Sequence, residues 1–227
     1  MASFDNLSGT IDLSPARAET IRKTYLLLGL SVGGALCGGY LGAQSDALVQ
    51  LFTGWLGWIL AMLLLNAIPR VAMAARHDPV WGVTALLANG IVSGVVLAPI
   101  LRIASFYAPG TIEIAMLMTV IVFGCVTLFV MSSRRTFSAP RGLMLGISVS
   151  ILAAMLLNAF LNIGILGLFI AAGIGIFGVC ILIYATSDVL HNPYADSPIP
   201  GALILFAGLF NVFVAILNIL LRLNRRR

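Results

Sequence analysis

Ile59-Leu60-Ala61-Met62-Leu63-Leu64-Leu65 decides the fold. Seven apolar side chains follow one another with no polar residue between them. A strand of a membrane β-barrel would alternate apolar and polar residues over about ten positions. This run does not alternate, and extended from Leu51 to Ile68 it approaches the roughly 20 apolar residues a helix needs to cross about 30 Å of hydrocarbon.

Working outward, the same pattern recurs with charges clustered between apolar runs. Seven spans are predicted: Thr24 to Ala43, Leu51 to Ile68, Trp81 to Leu101, Glu113 to Met131, Gly142 to Leu161, Gly164 to Tyr184 and Gly201 to Leu221. The 227-residue chain is 60% hydrophobic and 9% charged, against roughly 45–50% and about 25% in soluble domains. A water-soluble fold could not hide that much apolar surface. The expected fold class is all-α, a polytopic transmembrane bundle of about seven helices in one domain (24–221). A cytoplasmic segment (1–23) precedes it and a basic tail (222–227) follows.

The polar start, with Asp5, Asp12 and Glu19, does not resemble a cleavable leader, so the first span is expected to remain as an anchor. Ser14-Pro15 reads as an N-cap followed by proline in the first turn, and the first dozen residues are expected to be mobile. Cys37, Cys125 and Cys180 lie inside predicted spans and suggest neither a disulfide framework nor a metal site. Pro99, near the end of the third span, is placed to kink it. Small residues at helical spacing, Gly29, Gly33, Gly34 and Gly38 in the first span and Gly167, Ala171 and Gly175 in the sixth, predict close helix contacts.

The net charge of +5 is accounted for by orientation and not by nucleic acid. Arg17, Arg22, Lys23, Arg70, Arg76, Arg134, Arg135 and Arg141 all fall on one side if the N-terminus is cytoplasmic. The opposite loops hold only Arg102, so the positive-inside rule gives N-in. Seven spans then leave Arg222, Arg225, Arg226 and Arg227 outside. An even count, with a re-entrant segment between Gly164 and Pro200, would place them inside; seven is the favoured count.

Signals for chemistry are sparse. His77 and His191 are the only histidines and both fall in predicted loops. No HExxH helix, GxSxG elbow or Walker loop occurs, so neither an enzyme nor a cofactor is expected. His77 with Asp78, and His191 with Asp188 and Asp196, share a predicted side and could form a titrating cluster, although solvated loop residues are the plainer reading. No predicted span has a charge at its middle, where a transporter would need one. Asn66, Asn89, Asn158, Asn211 and Asn218 are the polar candidates there, read as hydrogen bonds between helices.

Three segments in order resemble the Bax inhibitor/YccA family of seven-span membrane proteins. They are Ile21-Arg22-Lys23-Thr24-Tyr25-Leu26-Leu27-Leu28, Gly94-Val95-Val96-Leu97-Ala98-Pro99-Ile100-Leu101, and the C-terminal quarter. The last contains Ile181-Leu182-Ile183-Tyr184-Ala185-Thr186-Ser187-Asp188-Val189-Leu190-His191-Asn192 and Leu205-Phe206-Ala207-Gly208-Leu209-Phe210-Asn211-Val212-Phe213. The resemblance is nearer to the bacterial YccA branch, and implies a bacterial inner membrane.

In calcium-leak members of that family an aspartate in each of the last two helices forms a proton-sensitive pair. Two close carboxylates share a proton and raise one pKa. The matching positions here hold Ala185 and Gly208, which cannot titrate or bind calcium. Asp188 and Asn211 are the remaining candidates for a gate or polar lining. The YccA branch implies another role, binding and restraining an FtsH-type membrane protease, with Arg17, Arg22 and Lys23 as the expected contact. A pH-sensitive calcium or proton leak is the alternative.

Overall fold

A computed structural model describes residues 15–133, 136–138, 141–161, 163–191 and 197–224. The segment expected to be mobile, Asn192, Asp196, Arg134, Arg135 and Arg225 to Arg227 lie outside the described residues.

Among the described residues the regular structure is entirely helical: α1 (Pro15–Gln44), α2 (Asp46–Leu51), α3 (Gly54–Ala74), α4 (Pro79–Val96), α5 (Ala98–Tyr107), α6 (Thr111–Ser132), α7 (Arg141–Leu161), α8 (Gly164–His191) and α9 (Pro198–Asn224). Seven of these, all but α2 and α5, are long and apolar enough to cross a membrane. α1 begins at Pro15, whose fixed φ and missing N–H suit a first helical position. α8 runs unbroken from Gly164 to His191 within the region considered for re-entry.

The helix predicted over Trp81 to Leu101 is two helices. α4 ends at Val96, Leu97 is its C-cap, and Pro99 sits in the first turn of α5. Proline withholds the N–H that would continue the ladder, so the chain turns there. Gly110, at φ +84°, supplies the left-handed residue that starts α6.

α9 is the central helix and packs on α1, α3, α4, α6 and α8. Its contact with α8 builds the main core, from Leu182, Ala185 and Val189 on α8 and Leu205, Phe206 and Val212 on α9, with Leu28, Val126 and Val130 from α1 and α6. Gly167, Ala171 and Gly175 form the expected small face. Ala171 is buried, a Cβ on Gly175 would lie 3.1 Å from the Ala215 Cβ, and Gly167 lies beneath the Arg222 guanidinium, whose Nη1 donates to the Gly164 carbonyl.

The glycines of α1 sort differently from their spacing. Gly29 and Gly33 face open space. Gly34, Gly38 and Gly42 meet α4 instead, where Gly90 and Gly94 answer them. A Cβ on Gly38 would collide with the Ile91 carbonyl oxygen, and one on Gly90 with that of Ser31. Ser31 Oγ donates across this contact to the Leu86 carbonyl (3.4 Å).

Most large exposed side chains are apolar, including Leu63, Val120, Leu128, Leu145 and Phe169, as expected where hydrocarbon replaces water. Cys37, Cys125 and Cys180 are unpaired and exposed on the outside of the bundle. Asn66 and Asn218 donate to Met62 and Val214 carbonyls on their own helices, not between helices. A polar amide facing hydrocarbon is satisfied most cheaply by the turn below it.

Candidate functional site

Ala185 and Gly208, the positions expected to match the acid pair, lie on α8 and α9, and both are buried where these helices pack. Ala185 is 1% exposed. A Cβ on Gly208 would sit 2.8 Å from Leu182 Cγ and 3.2 Å from the Gly178 carbonyl oxygen. Leu182 therefore fills the volume a side chain at 208 would need, and the seam is close-packed.

Asp188 and Asn211 do not join there. Asp188 lies one turn beyond Ala185 and is half-buried. Asn211 packs beside Gly178, its Cβ 3.0 Å from the position a Gly178 Cβ would take. Ten residues of α8, about 15 Å, separate Gly178 from Asp188. Asp188 and Asn211, the remaining candidates for a gate or polar lining, thus stand apart along the bundle.

More polar structure gathers where α8 ends. Arg17 Nη2 donates to the Leu190 carbonyl, one of the acceptors a helix C-terminus leaves open. A cation also complements the negative end of the helix dipole. The Phe137 N–H donates to Ser187 Oγ (2.8 Å), bringing the segment after α6 onto α8, and its ring packs against Phe129 with centroids 5.6 Å apart. Ser197 Oγ donates to the Arg76 carbonyl (2.9 Å), joining the start of α9 to the α3/α4 turn. Thr24, Thr186 and Ser187 are buried in the same layer.

The expected basic contact residues separate in this setting. Arg17 is engaged by α8, so it is not free for a partner in this conformation. Lys23 pairs with Glu19 on the exposed face of α1 (2.7 Å), and Arg22 is exposed. Sequence reasoning missed the cap because its two ends are 173 residues apart.

His77 and Asp78, suggested as a cluster, are engaged separately. Asp78 caps α4, accepting from the Val80 and Trp81 N–H groups (3.0 and 3.2 Å). His77 Nε2 accepts from Arg76 Nε (2.9 Å). His191 Nδ1 lies 3.1 Å from the Ser187 carbonyl, an arrangement that needs a proton on Nδ1. Asp188 makes its own polar interaction, and Asp196 lies outside the described residues. Among the described residues no three His, Cys, Asp or Glu come together as a metal site.

Comparison with known proteins is decisive at the level of family. The profile of the family described as inhibitor of apoptosis-promoting Bax1 matches residues 17–226. The chain belongs to the Bax inhibitor family. Within that family it is 31% identical over 214 residues to an uncharacterized protein of Neisseria meningitidis serogroup B, covering 92% of this chain and 93% of the relative. An uncharacterized protein of Campylobacter jejuni is 28% identical over 208 residues, 91% of this chain and 89% of its own. The modulator of FtsH protease YccA of Escherichia coli K12 is 26% identical over 203 residues, 89% of each chain.

Proposed function

We propose that this chain is a non-enzymatic protein of the bacterial inner membrane that binds an FtsH-type membrane protease and restrains its action on membrane proteins. The observation that carries the reading is the likeness, over nearly the whole of both chains, to the modulator of FtsH protease YccA. The N-terminus is placed in the cytoplasm by the positive-inside rule. The contact surface is the segment Met1 to Leu13 together with the exposed start of α1, where Arg22 and Lys23 stand clear of the bundle. The closed seam at Ala185 and Gly208, with no titratable side chain at either position, weakens the alternative of a proton-gated calcium leak.

The test is the half-life of a membrane substrate of an FtsH-type protease in cells with no added chain, with the full chain, and with the chain lacking Met1 to Leu13. The full chain should lengthen the half-life and the truncated chain should do so less. An unaltered half-life with the full chain would overturn the proposal. Full restraint by the truncated chain would move the contact away from the N-terminal segment.

A further inference from the structure

We infer that the lateral groove between α1 and α6 is a phospholipid site, with the lipid phosphate on Arg102 and its acyl chains laid over the phenylalanines of α9. The groove has a volume of about 1160 Å³ and is walled by α1 and α6, with Phe206, Phe210 and Phe213 lining it from α9. It extends from Tyr25 to Gln44 along α1, 19 residues of helix and so about 28 Å. That length matches the roughly 30 Å hydrocarbon thickness of a bilayer. The groove's side is open between exposed Leu36 and Val120, so acyl chains enter it directly from the membrane.

The distribution of polar groups selects an amphipathic occupant. The middle of the groove is apolar except for Thr119, whose hydroxyl is taken up by the Ala115 carbonyl of its own helix (2.7 Å), and other hydrogen-bonding groups stand towards its ends. At one end are Gln44, Arg102 and Ser105. At the other is Tyr25, whose hydroxyl is buried without a hydrogen-bond partner among the described residues.

Arg102 gives the charge complementarity. It is the only lysine or arginine between Arg76 and Arg134, and its half-buried guanidinium lies over the Phe106 ring, 5.9 Å from the centroid. Nη1 is bound to Asp46, a far more exposed side chain (76% against 32%). A guanidinium has five N–H donors in a planar fork that suits phosphate oxygens. Asp46 holds the fork at the groove mouth and also competes with an incoming anion.

Native mass spectrometry of the full chain in mild detergent tests the site, with phosphatidylglycerol compared against diacylglycerol of the same acyl chains. Phosphatidylglycerol should bind roughly tenfold more tightly, and Arg102→Gln should remove that advantage, about the effect of one hydrogen bond to a charged group. Asp46→Asn should raise phosphatidylglycerol affinity, a change opposite in sign that a fold defect would not produce. Gly29→Phe, placed where an added Cβ meets no atom within 4 Å, should lower retention of both lipids. Equal affinity for the two lipids, or an unchanged preference in both Arg102→Gln and Asp46→Asn, would overturn the inference. So would a photoreactive side chain at position 36 that crosslinks in native membranes to a protein in place of lipid.

Discussion

Gly33→Ala and Gly38→Ala introduce the same methyl group into the same helix five residues apart, and they should change stability in opposite directions. An alanine in a helix interior gains about 0.5–1 kcal/mol over glycine. At Gly33 nothing lies within 4 Å of the new Cβ, so that gain stands alone. At Gly38 the new Cβ runs into the carbonyl oxygen of Ile91. This obstacle is main chain, which cannot rotate aside, so the overpacking cost falls at the upper end of about 1–3 kcal/mol. The net loss is about 1–2 kcal/mol, and the two variants should differ by about 2–3 kcal/mol. Equilibrium unfolding in mixed micelles, followed by circular dichroism, reads the difference. Equal losses at both positions, or gains at both, would refute the backbone contact between α1 and α4.

The polar links of the N-terminal layer give further tests. Asp78→Ala removes the α4 cap and should cost about 0.5–2 kcal/mol in the same unfolding assay, with Asp78→Asn restoring most of it. Ser187→Ala deprives the part-buried Phe137 N–H of its acceptor, a loss of about 1 kcal/mol, and should speed proteolytic cleavage between α6 and α7. Arg17 and Arg22 should separate by readout. Arg17→Met should lower the unfolding midpoint through the lost cap on α8, while Arg22→Glu should leave that midpoint in place and weaken restraint of the protease.

The spans were legible because hydropathy and charge clustering are properties of the chain in order, and Pro99 announced the break after α4. Inward-facing surfaces were less legible for a physical reason. Lipid is as apolar as the protein core, so a helix such as α8 can be apolar on every side and its pattern does not tell core from bilayer. Gly29 and Gly33 have the same spacing signal as Gly34 and Gly38, yet only the second pair meets a neighbour. Arg17 on α8 and the groove over α9 depend on residues far apart in sequence. At Ala185 and Gly208 the missing charges were readable, whereas the plugging of the seam by Leu182 was not.

The unequal lengths of the crossing helices have a consequence for the surrounding membrane. α4 has 18 residues and α8 has 28, about 27 and 42 Å at 1.5 Å per residue. The first is slightly short of a 30 Å hydrocarbon layer and the second exceeds it by about 12 Å. A tilt of about 20° absorbs only some 3 Å of that excess, so close to two turns of α8 stand clear of the hydrocarbon. The Arg17 cap, Phe137 and His191 gather at this end, where water can solvate them. The crossing helices are therefore unequal by about 15 Å, and a lipid layer that fits α4 leaves the end of α8 in water.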